Sequence, residues 1–263
     1  MKRILCLVCA VLMIVLCFAG CGDKKDAEKT TFTVGFDAEF PPYGYLDVET
    51  NEYTGFDLVL AEEVCKRNGW ELEKKPIDWD SKDSELDSGS IDCIWNGFTM
   101  NGRENDYTFS KPYVDNSQVV VVRKGEISDL SGLKGKSVEV QKESSAEAAL
   151  TGEDASDENK KLAAGFKELV SVADYNTALM DLESGICDAV AMDVGVAKYK
   201  VEANDKLVML DTPIATEQYA IGFKKGNKEL CEKVQATLDE MVKDGTFEKI
   251  AKDWGLSDSV CLK

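Results

Sequence analysis

The apolar run 91–95 and the polar turn that follows it constrain the fold more than any other part of the sequence. Such a run is typical of a buried strand. It ends at Asn96 and Gly97, and a turn with Thr99 and Arg103 follows. Open α/β sheets bind their ligands where strands end in loops. The segment therefore predicts an α/β fold with a ligand at this strand end, although a solvated surface turn would have the same composition.

Three groups in this turn suit an anionic ligand. Thr99 offers a hydroxyl, and Gly97 lets the backbone approach a ligand closely. The planar guanidinium of Arg103 binds a carboxylate through two parallel hydrogen bonds. We therefore take these residues as candidates for anion recognition.

The first half of the chain alternates between strand and helix patterns. Strands are predicted at 31–36, 70–77 and from residue 91, and helices at 55–68 and 81–90. This β-α-β-α-β order predicts a mostly parallel sheet with right-handed crossovers. Residues 37–43, with two prolines, are predicted to form an irregular loop.

The second half repeats the alternation. Strands are predicted at 118–123, 137–140, 186–192, 207–210 and 217–223, and helices at 144–150, 174–184, 194–201, 228–243 and 246–254. Residues 151–161 are acidic and polar, and we expect a surface excursion there. The last two helices are expected to pack back on the first half of the chain.

Segments 86–93 and 182–189 resemble each other. Each reads as the end of a helix, a Ser-Gly turn, an Asp and the start of a buried strand. Two similar α/β lobes in tandem would produce this pattern, and so would chance use of a common helix-to-strand turn.

The composition excludes several classes of function. Asp and Glu number 49 against 31 Lys and Arg, for a formal charge of -18. This balance argues against nucleic acid and against electrostatic docking on anionic lipid. The absence of histidine excludes Ser-His-Asp and Cys-His catalysis and histidine metal sites. The cysteine spacing does not suggest a metal site either, and no cofactor is expected.

The N-terminal residues have the layout of an export signal. Residues 1–20 combine a positive start with an apolar run that is too short for a comfortable membrane span. Residues 18–21, Phe-Ala-Gly-Cys, resemble a bacterial lipobox, which makes Cys21 the predicted lipidation site. Residues 21–30 are predicted to be a flexible tether. Plain secretion with an accidental cysteine is the alternative.

Four cysteines lie in apolar-periodic segments and are expected to be small buried hydrophobic residues: Cys65, Cys93, Cys187 and Cys231. A disulfide between Cys231 and Cys261 is compatible with an exported protein if the C-terminal tail folds back.

An ordered set of short motifs resembles the periplasmic-type solute-binding proteins of ABC importers, in the branch that binds polar amino acids. The motifs are GFDL at 55–58, GFT at 97–99, Arg103, FSKPY at 109–113, LKGK at 133–136, DAV at 188–190 and Asp193. The resemblance covers residues 31–256. It implies a two-lobed, periplasmic-binding-protein type II-like α/β fold with the ligand cleft between the lobes.

The resemblance also implies domain boundaries. The chain would cross between the lobes near 119–122 and 213–218. Lobe 1 would then contain 31–118 and 217–263, and lobe 2 would contain 119–216.

Carried over position by position, the resemblance implies two charged clamps for an amino acid. The carbonyl of Gly97 and the carboxylate of Asp193 would hold the α-ammonium. The α-carboxylate would be held by Thr99, Arg103, Ser144 and Ser145. Because the clamps come from opposite lobes, full binding would require lobe closure. Asp193 as a helix N-cap and the serines as simple caps are the alternatives.

The remaining positions would meet the rest of the ligand. Phe40 and Trp79 would sandwich its aliphatic part, although both could be ordinary core aromatics. Asp37, Glu39 and Asn96 would face the ligand side chain, which favours a basic or polar amino acid, with cystine also compatible. Solvated surface acids are the alternative for Asp37 and Glu39.

The sequence departs from the family pattern at two places. The turn 100–102 before Arg103 is one residue shorter than usual, which would bring the guanidinium to the carboxylate by another path. Glu143 stands where a glycine is common before the serine pair, and it places an acid near the cleft.

Together these features predict a monomeric, lipid-anchored receptor on the outer face of a bacterial cell membrane that delivers an amino acid to an ABC permease. An enzyme on the same fold, such as a dehydratase, would use Glu39 or Glu143 as its acid or base, but neither has a visible partner to tune its pKa. A ligand sensor without transport is the third reading.

Overall fold

The computed structural model describes residues 31–263, so the predicted signal peptide, Cys21 and the tether lie outside the described residues. Elements are numbered in chain order. The first sheet contains β1 (Thr31–Phe36), β5 (Glu71–Pro76), β6 (Cys93–Ile94), β7 (Tyr107–Phe109) and β14 (Gly222–Lys224), in the order β5-β1-β6-β14-β7. β5, β1 and β6 are parallel, whereas β14 is antiparallel to both of its neighbours.

The second sheet has six strands. They are β8 (Val114–Arg123), β9 (Ser137–Gln141), β10 (Glu168–Val172), β11 (Ala189–Asp193), β12 (Leu207–Met209) and β13 (Ala215–Tyr219). The order is β10-β9-β11-β8-β12, and β13 pairs with the first half of β8. The chain leaves the first sheet after β7 through β8 and returns to it through β13 into β14. Both sheets are mixed rather than mostly parallel: β9 pairs parallel with β10 and β11, whereas β8 is antiparallel to β11, β12 and β13, because β8 and β13 are the strands by which the chain leaves and re-enters the first sheet.

Residues 37–43 are not the irregular loop that the two prolines predict. They contain part of a small antiparallel sheet of β2 (Glu39–Phe40), β3 (Gly44–Asp47) and β4 (Glu52–Thr54). Strands of two to four residues are too short for an alternating pattern to be recognised. The turn is closed by backbone hydrogen bonds, including Tyr43 N to the Phe40 carbonyl at 3.1 Å.

Eight α-helices connect the strands among the described residues. They are α1 (Phe56–Asn68), α2 (Lys82–Ser88), α3 (Ser145–Thr151), α4 (Asp157–Ala163), α5 (Tyr175–Ser184), α6 (Val194–Glu202), α7 (Lys228–Lys243) and α8 (Thr246–Asp253), with short 3-10 turns at Trp79–Ser81 and Leu130–Leu133.

Residues 151–161 are largely exposed, as expected of a surface excursion, but they also contain the start of helix α4, which the sequence did not predict. The Ser156 hydroxyl caps it by accepting from Asn159 N at 3.1 Å. The Asn159 side chain donates to the carbonyls of Ala149 and Ile214. A polar residue therefore anchors this helix, and polar anchors leave no apolar periodicity to detect.

The β-branched run of β8 supplies two cores at once. Val119 and Val121 belong to a cluster with the first-sheet residues, while Val120 and Val122 belong to a separate cluster under α3. This alternation follows from the two-residue period of a strand that is covered on both faces.

The C-terminal helices pack on α1, as predicted. Arg67 of α1 forms a 2.7 Å ion pair with Asp244, and Asn68 Nδ2 donates to Thr237 Oγ1 at 2.8 Å. The tail continues past α8 and bridges Val260 to Val114 of β8.

The described cysteines are all free, and Cys65, Cys93, Cys187 and Cys231 are buried as expected. The Cys231–Cys261 disulfide that the sequence left open is therefore not formed, because the tail binds β8 and brings Cys261 beside Gln218 instead. No helix within 31–263 is long and apolar enough to cross a membrane. That part of the chain also contains no group of three or more Cys, Asp or Glu residues placed to hold a metal.

Candidate functional site

The guanidinium of Arg103 joins loops from the two sheets. Arg103 lies in the loop between β6 and β7, and Ser145 begins α3 after β9. Nη1 donates to the Ser145 hydroxyl at 3.2 Å and to the Thr99 carbonyl at 3.0 Å, and Nη2 donates to the Glu143 carbonyl at 3.3 Å. No carboxylate within residues 31–263 lies within 4.0 Å of this guanidinium. Its partners are neutral, so it can still receive an anion.

The cap of α3 forms as predicted, with one change. The Ser144 hydroxyl accepts from Glu147 N at 3.2 Å, and the Glu147 carboxylate accepts from the amide of Glu143 at 2.6 Å. In a standard capping box the Glu147 carboxylate would instead accept from the backbone amide of Ser144. The change accompanies a left-handed backbone at Glu143, with φ of 57°.

The carboxylate of Asp193 is buried at the end of β11. Its Oδ1 accepts from Asn116 Nδ2 at 2.8 Å, Gln118 Nε2 at 2.6 Å and the Tyr219 hydroxyl at 2.6 Å, and its Oδ2 accepts from the Tyr175 hydroxyl at 3.1 Å. Burial raises the pKa of Asp193 in spite of these bonds. Asp193 occupies the N-cap position of α6 but makes no side-chain cap bond, which removes capping as its role.

Glu217 of β13 is a member of the site that sequence reasoning missed. Its Oε1 accepts from Thr99 Oγ1 at 2.8 Å and from the amides of Asn116 and Gln118 at 2.7 Å each. Burial, followed by the charge of Asp193, raises the pKa of Glu217 to about 7. The structure therefore places the Thr99 hydroxyl on a carboxylate of the protein. In the sequence, the only indication of this role was that Glu217 is an acid in the segment where the chain was expected to cross between the lobes.

Gly97 is held by the acid of the GFD motif. Its amide donates to Asp57 Oδ2 at 2.6 Å, and Tyr113 donates to the same oxygen at 2.8 Å. Burial raises the pKa of Asp57 to about 7. The φ of Gly97 is 56°, and a Cβ there would lie 2.7 Å from the Phe40 ring. The motif thus fixes the loop that carries Thr99 and Arg103.

Of the residues predicted to meet the rest of the ligand, Asp37, Glu39 and Trp79 line an acidic cavity of about 620 Å³, whereas Phe40 and Asn96 do not. Its polar lining includes the carboxylates Asp37, Glu39, Asp78, Asp80, Glu85 and Asp174 and one ammonium, Lys142. Lys142 forms a 2.7 Å ion pair with Asp80. The cavity therefore has an excess of negative charge.

Asp37 joins the two sides of this cavity. Its Oδ2 accepts from Gln141 Nε2 of β9 at 2.6 Å, and its amide donates to Asn96 Oδ1 at 3.0 Å. Burial, with smaller contributions from Asp174 and Glu39, raises the pKa of Asp37 to about 6. Burial disfavours the ionised form of Asp37, and a cation placed beside it would favour that form.

The Glu39 carboxylate accepts a hydrogen bond from the Asn176 side-chain amide across the cleft, and the Asn176 side-chain oxygen accepts one from Lys200. Burial raises the pKa of Glu39, while the Lys200 ammonium lowers it. Asp174, which sequence reasoning also missed, caps α5 through Thr177 and lies within electrostatic range of both acids.

Phe40 and Trp79 have different surroundings. Phe40 is buried between Tyr43 and Tyr175, with ring centroids 5.8 Å and 6.0 Å away. Trp79 lines the cavity and packs edge-on against Phe98 at 5.7 Å. Trp79 alone of the two therefore offers an apolar surface to the cavity.

Glu143 makes an ion pair across the cleft rather than standing free. It lies 2.7 Å from Lys82 Nζ, whose side chain is almost fully buried. With the Lys142–Asp80 pair, this contact holds the two sides together in a closed arrangement. Neither Glu143 nor Glu39 is placed as a free acid or base.

Two mixed α/β sheets joined by β8 and β13, with polar groups from both converging on one cleft, define a two-lobed solute-binding protein. The sequence profile of the bacterial extracellular solute-binding proteins, family 3, matches residues 32–257. The chain belongs to this family.

Known relatives agree with this assignment. The L-cystine-binding protein TcyJ of Escherichia coli is 29% identical over 236 residues, which cover 88% of this chain and 85% of the relative. The probable amino-acid-binding protein YxeM of Bacillus subtilis is 30% identical over 265 residues, 97% of this chain and 95% of the relative.

Solved structures give the same result. A substrate-binding protein of an ABC uptake transporter from Streptococcus pneumoniae, with bound histidine, has a TM-score of 0.81 and 31% identity over 88% of this chain and 95% of its own. An ancestral arginine-binding protein bound to arginine has a TM-score of 0.77 and 37% identity over 86% of this chain and 98% of its own.

Proposed function

We propose that this protein captures a polar L-amino acid between its lobes and delivers it to an ABC transporter permease. The supporting observation is the pairing of two unlike clamps on opposite sides of the cleft. Arg103 has no carboxylate partner, and Asp193 has no cationic partner within the described residues. A zwitterion supplies both missing partners.

The ligand is a basic or polar amino acid. The cavity beside the clamps contains six carboxylates and one ammonium, and Trp79 provides an apolar wall. Burial is the main cause of the raised pKa of Asp37, and a cationic ligand side chain beside it would favour its ionised form. The names of the relatives, which bind cystine, arginine, glutamine and histidine, are compatible with this range.

We further propose that residues 31–118 with 217–263 form one lobe and residues 119–216 the other, and that both close on the ligand. The protein acts as a monomer on the outer face of the cell membrane, anchored through a lipid on Cys21. The lipobox-like residues 18–21 support the anchor. Closure exposes a surface that the permease can distinguish from the open form.

A thermal-shift screen tests the ligand proposal. The purified mature protein is scanned with the twenty L-amino acids, ornithine and cystine. At least one polar member should raise the melting temperature, because a ligand that binds only the folded state stabilises it. No shift with any member would reject the proposal. Uptake of the best ligand is then compared between cells that have the protein and cells that lack it. Loss of uptake indicates a transport receptor, and unchanged uptake indicates a sensor.

A further inference from the structure

The carboxylates of Asp193 and Glu217 lie side by side in the hinge between the lobes. Gln118 Nε2 lies 2.6 Å from an oxygen of Asp193 and 2.7 Å from an oxygen of Glu217, so these oxygens are at most about 5.3 Å apart. Asn116 Nδ2 bridges the same two oxygens at 2.8 Å and 2.7 Å. Each amide therefore gives one N–H to each carboxylate.

No positive charge compensates this pair. Within residues 31–263, no Lys or Arg lies within 4.0 Å of either carboxylate, and the nearest loop guanidinium, Arg103, binds the carbonyl of Thr99 instead. The other titratable groups around the pair are the phenols of Tyr43, Tyr175 and Tyr219, whose pKa values burial raises well above the usual range. Two buried like charges without a cation are costly.

The cluster also has too few hydrogen-bond donors. The side-chain oxygens of Asn116 and Gln118 are buried and receive no hydrogen bond from any described residue. Glu217 Oε1 accepts three hydrogen bonds, whereas no described residue donates to its Oε2. An ammonium provides three donors and one positive charge.

We propose that Glu217 is a second carboxylate of the ammonium subsite and that it shares one proton with Asp193 until the ligand's ammonium displaces that proton. The inference rests on the proposed function. In the ligand-free protein one of the two groups is a carboxylic acid. On binding, its O–H bond breaks, the electron pair stays on the carboxylate, and the proton passes to solvent. The ammonium N–H groups then bond to both carboxylates.

The proton in the ligand-free protein can be observed without any ligand. Infrared difference spectra of the full mature chain between pH 6 and pH 8.5 should contain a protonated-carboxyl band from this pair. Asp37 and Asp57 also contribute, so the informative quantity is the amplitude lost in Glu217→Gln. The exposed Glu229→Gln is the matched control, and its band should equal the wild type. An unchanged band in Glu217→Gln would overturn the shared proton.

The displacement is tested by calorimetry with L-glutamine and L-arginine as probes, in buffers of different ionisation enthalpy. L-Glutamine has a neutral side chain, so proton release at pH 6.5 reports on the ammonium subsite. We expect release of about half a proton or more for the wild type, falling towards zero by pH 8.5, because Glu217 titrates near pH 7. Glu217→Gln should release much less and bind about tenfold more weakly at pH 8.

The outcomes separate this inference from the proposed function. If amino acids bind and Glu217→Gln leaves both affinity and proton release unchanged, the second-carboxylate role is wrong and the receptor function stands. If neither probe nor any other amino acid binds, the proposed receptor function is wrong, and the proposed displacement of the proton is wrong as well. A wild type that binds L-glutamine without proton release at pH 6.5 also overturns the inference.

Discussion

Arg103 Nη1 lies 3.2 Å from Ser145 Oγ, so a loop of the first sheet and a helix of the second sheet meet at the guanidinium. The acceptor is a neutral hydroxyl, and the neutral carbonyls of Thr99 and Glu143 complete the contact. A ligand carboxylate would exchange these neutral acceptors for a charged one, which binds a guanidinium more strongly.

Replacement of Arg103 should therefore reduce binding more than folding. We expect Arg103→Ala to weaken binding of the amino acid found by the thermal-shift screen by about 2 kcal/mol or more. The substitution leaves a charged end of the ligand unpaired in a closed cleft. Calorimetry measures the loss. Arg67→Ala is the matched control, since Arg67 pairs with Asp244 away from the cleft and should affect stability alone. Normal binding by Arg103→Ala would place the carboxylate clamp elsewhere.

Gly97 should be intolerant of a side chain for two separable reasons. Gly97→Ala combines a left-handed backbone, which costs about 1 kcal/mol, with a Cβ only 2.7 Å from Phe40 and 2.9 Å from Tyr219. Gly89→Ala carries the same backbone strain with nothing within 4 Å of the new Cβ. Urea unfolding and calorimetry should show loss of stability and affinity for Gly97→Ala, and a small stability loss only for Gly89→Ala. Equal effects would contradict the tight packing of this loop.

The charge of Asp37 should favour basic ligands. At pH 7.5 we expect Asp37→Asn to weaken the binding of L-arginine by about 1–2 kcal/mol and the binding of L-glutamine much less, because only L-arginine has a positive side chain. Competition calorimetry gives both affinities. Asp87→Asn removes an exposed acid outside the cavity lining and serves as the control. A parallel loss for both ligands would mean that Asp37 does not sense side-chain charge.

Stability of the ligand-free protein should fall as pH rises from about 5 to about 7. The folded state raises the pKa of Asp37 to about 6 and of Asp57 and Glu217 to about 7, from ordinary values near 4. The folded state then holds more protons than the unfolded state across this window. Each extra proton lowers the free energy of unfolding by about 1.4 kcal/mol for each pH unit of increase. Urea unfolding at several pH values measures the slope.

Asp57→Asn should make that slope shallower, because it removes one of the three groups. A flat or rising stability between pH 5 and pH 7 would show that these carboxyls are ionised in the folded protein.

The sequence was sufficient for the fold because local periodicity and element order were strong. Helix α7 at Lys228–Lys243 and strand β1 at Thr31–Phe36 have the predicted bounds. The exceptions were segments that polar contacts define, such as α4, anchored through Asn159, and the two-residue strand β2. Hydrophobic patterns carry no information about such contacts.

The site was predictable only in part. Motif order located Arg103 and Asp193 but could not reveal that Glu217, about a hundred residues from Asn116 and Gln118, accepts from both of their amides. Neither could it show that Phe40 is buried between Tyr43 and Tyr175, outside the lining of the cavity that Trp79 faces. Contacts between distant strands depend on the closed tertiary arrangement, which no local pattern encodes.

The most direct test of the two-clamp account compares one amino acid with two capped forms of it. The best ligand from the thermal-shift screen is titrated by calorimetry beside its α-amide, which lacks the carboxylate, and its N-acetyl derivative, which lacks the ammonium. The account predicts that each capped form binds at least about 30-fold more weakly, because each leaves one charged clamp unpaired. A capped form that binds as tightly as the parent amino acid would contradict it.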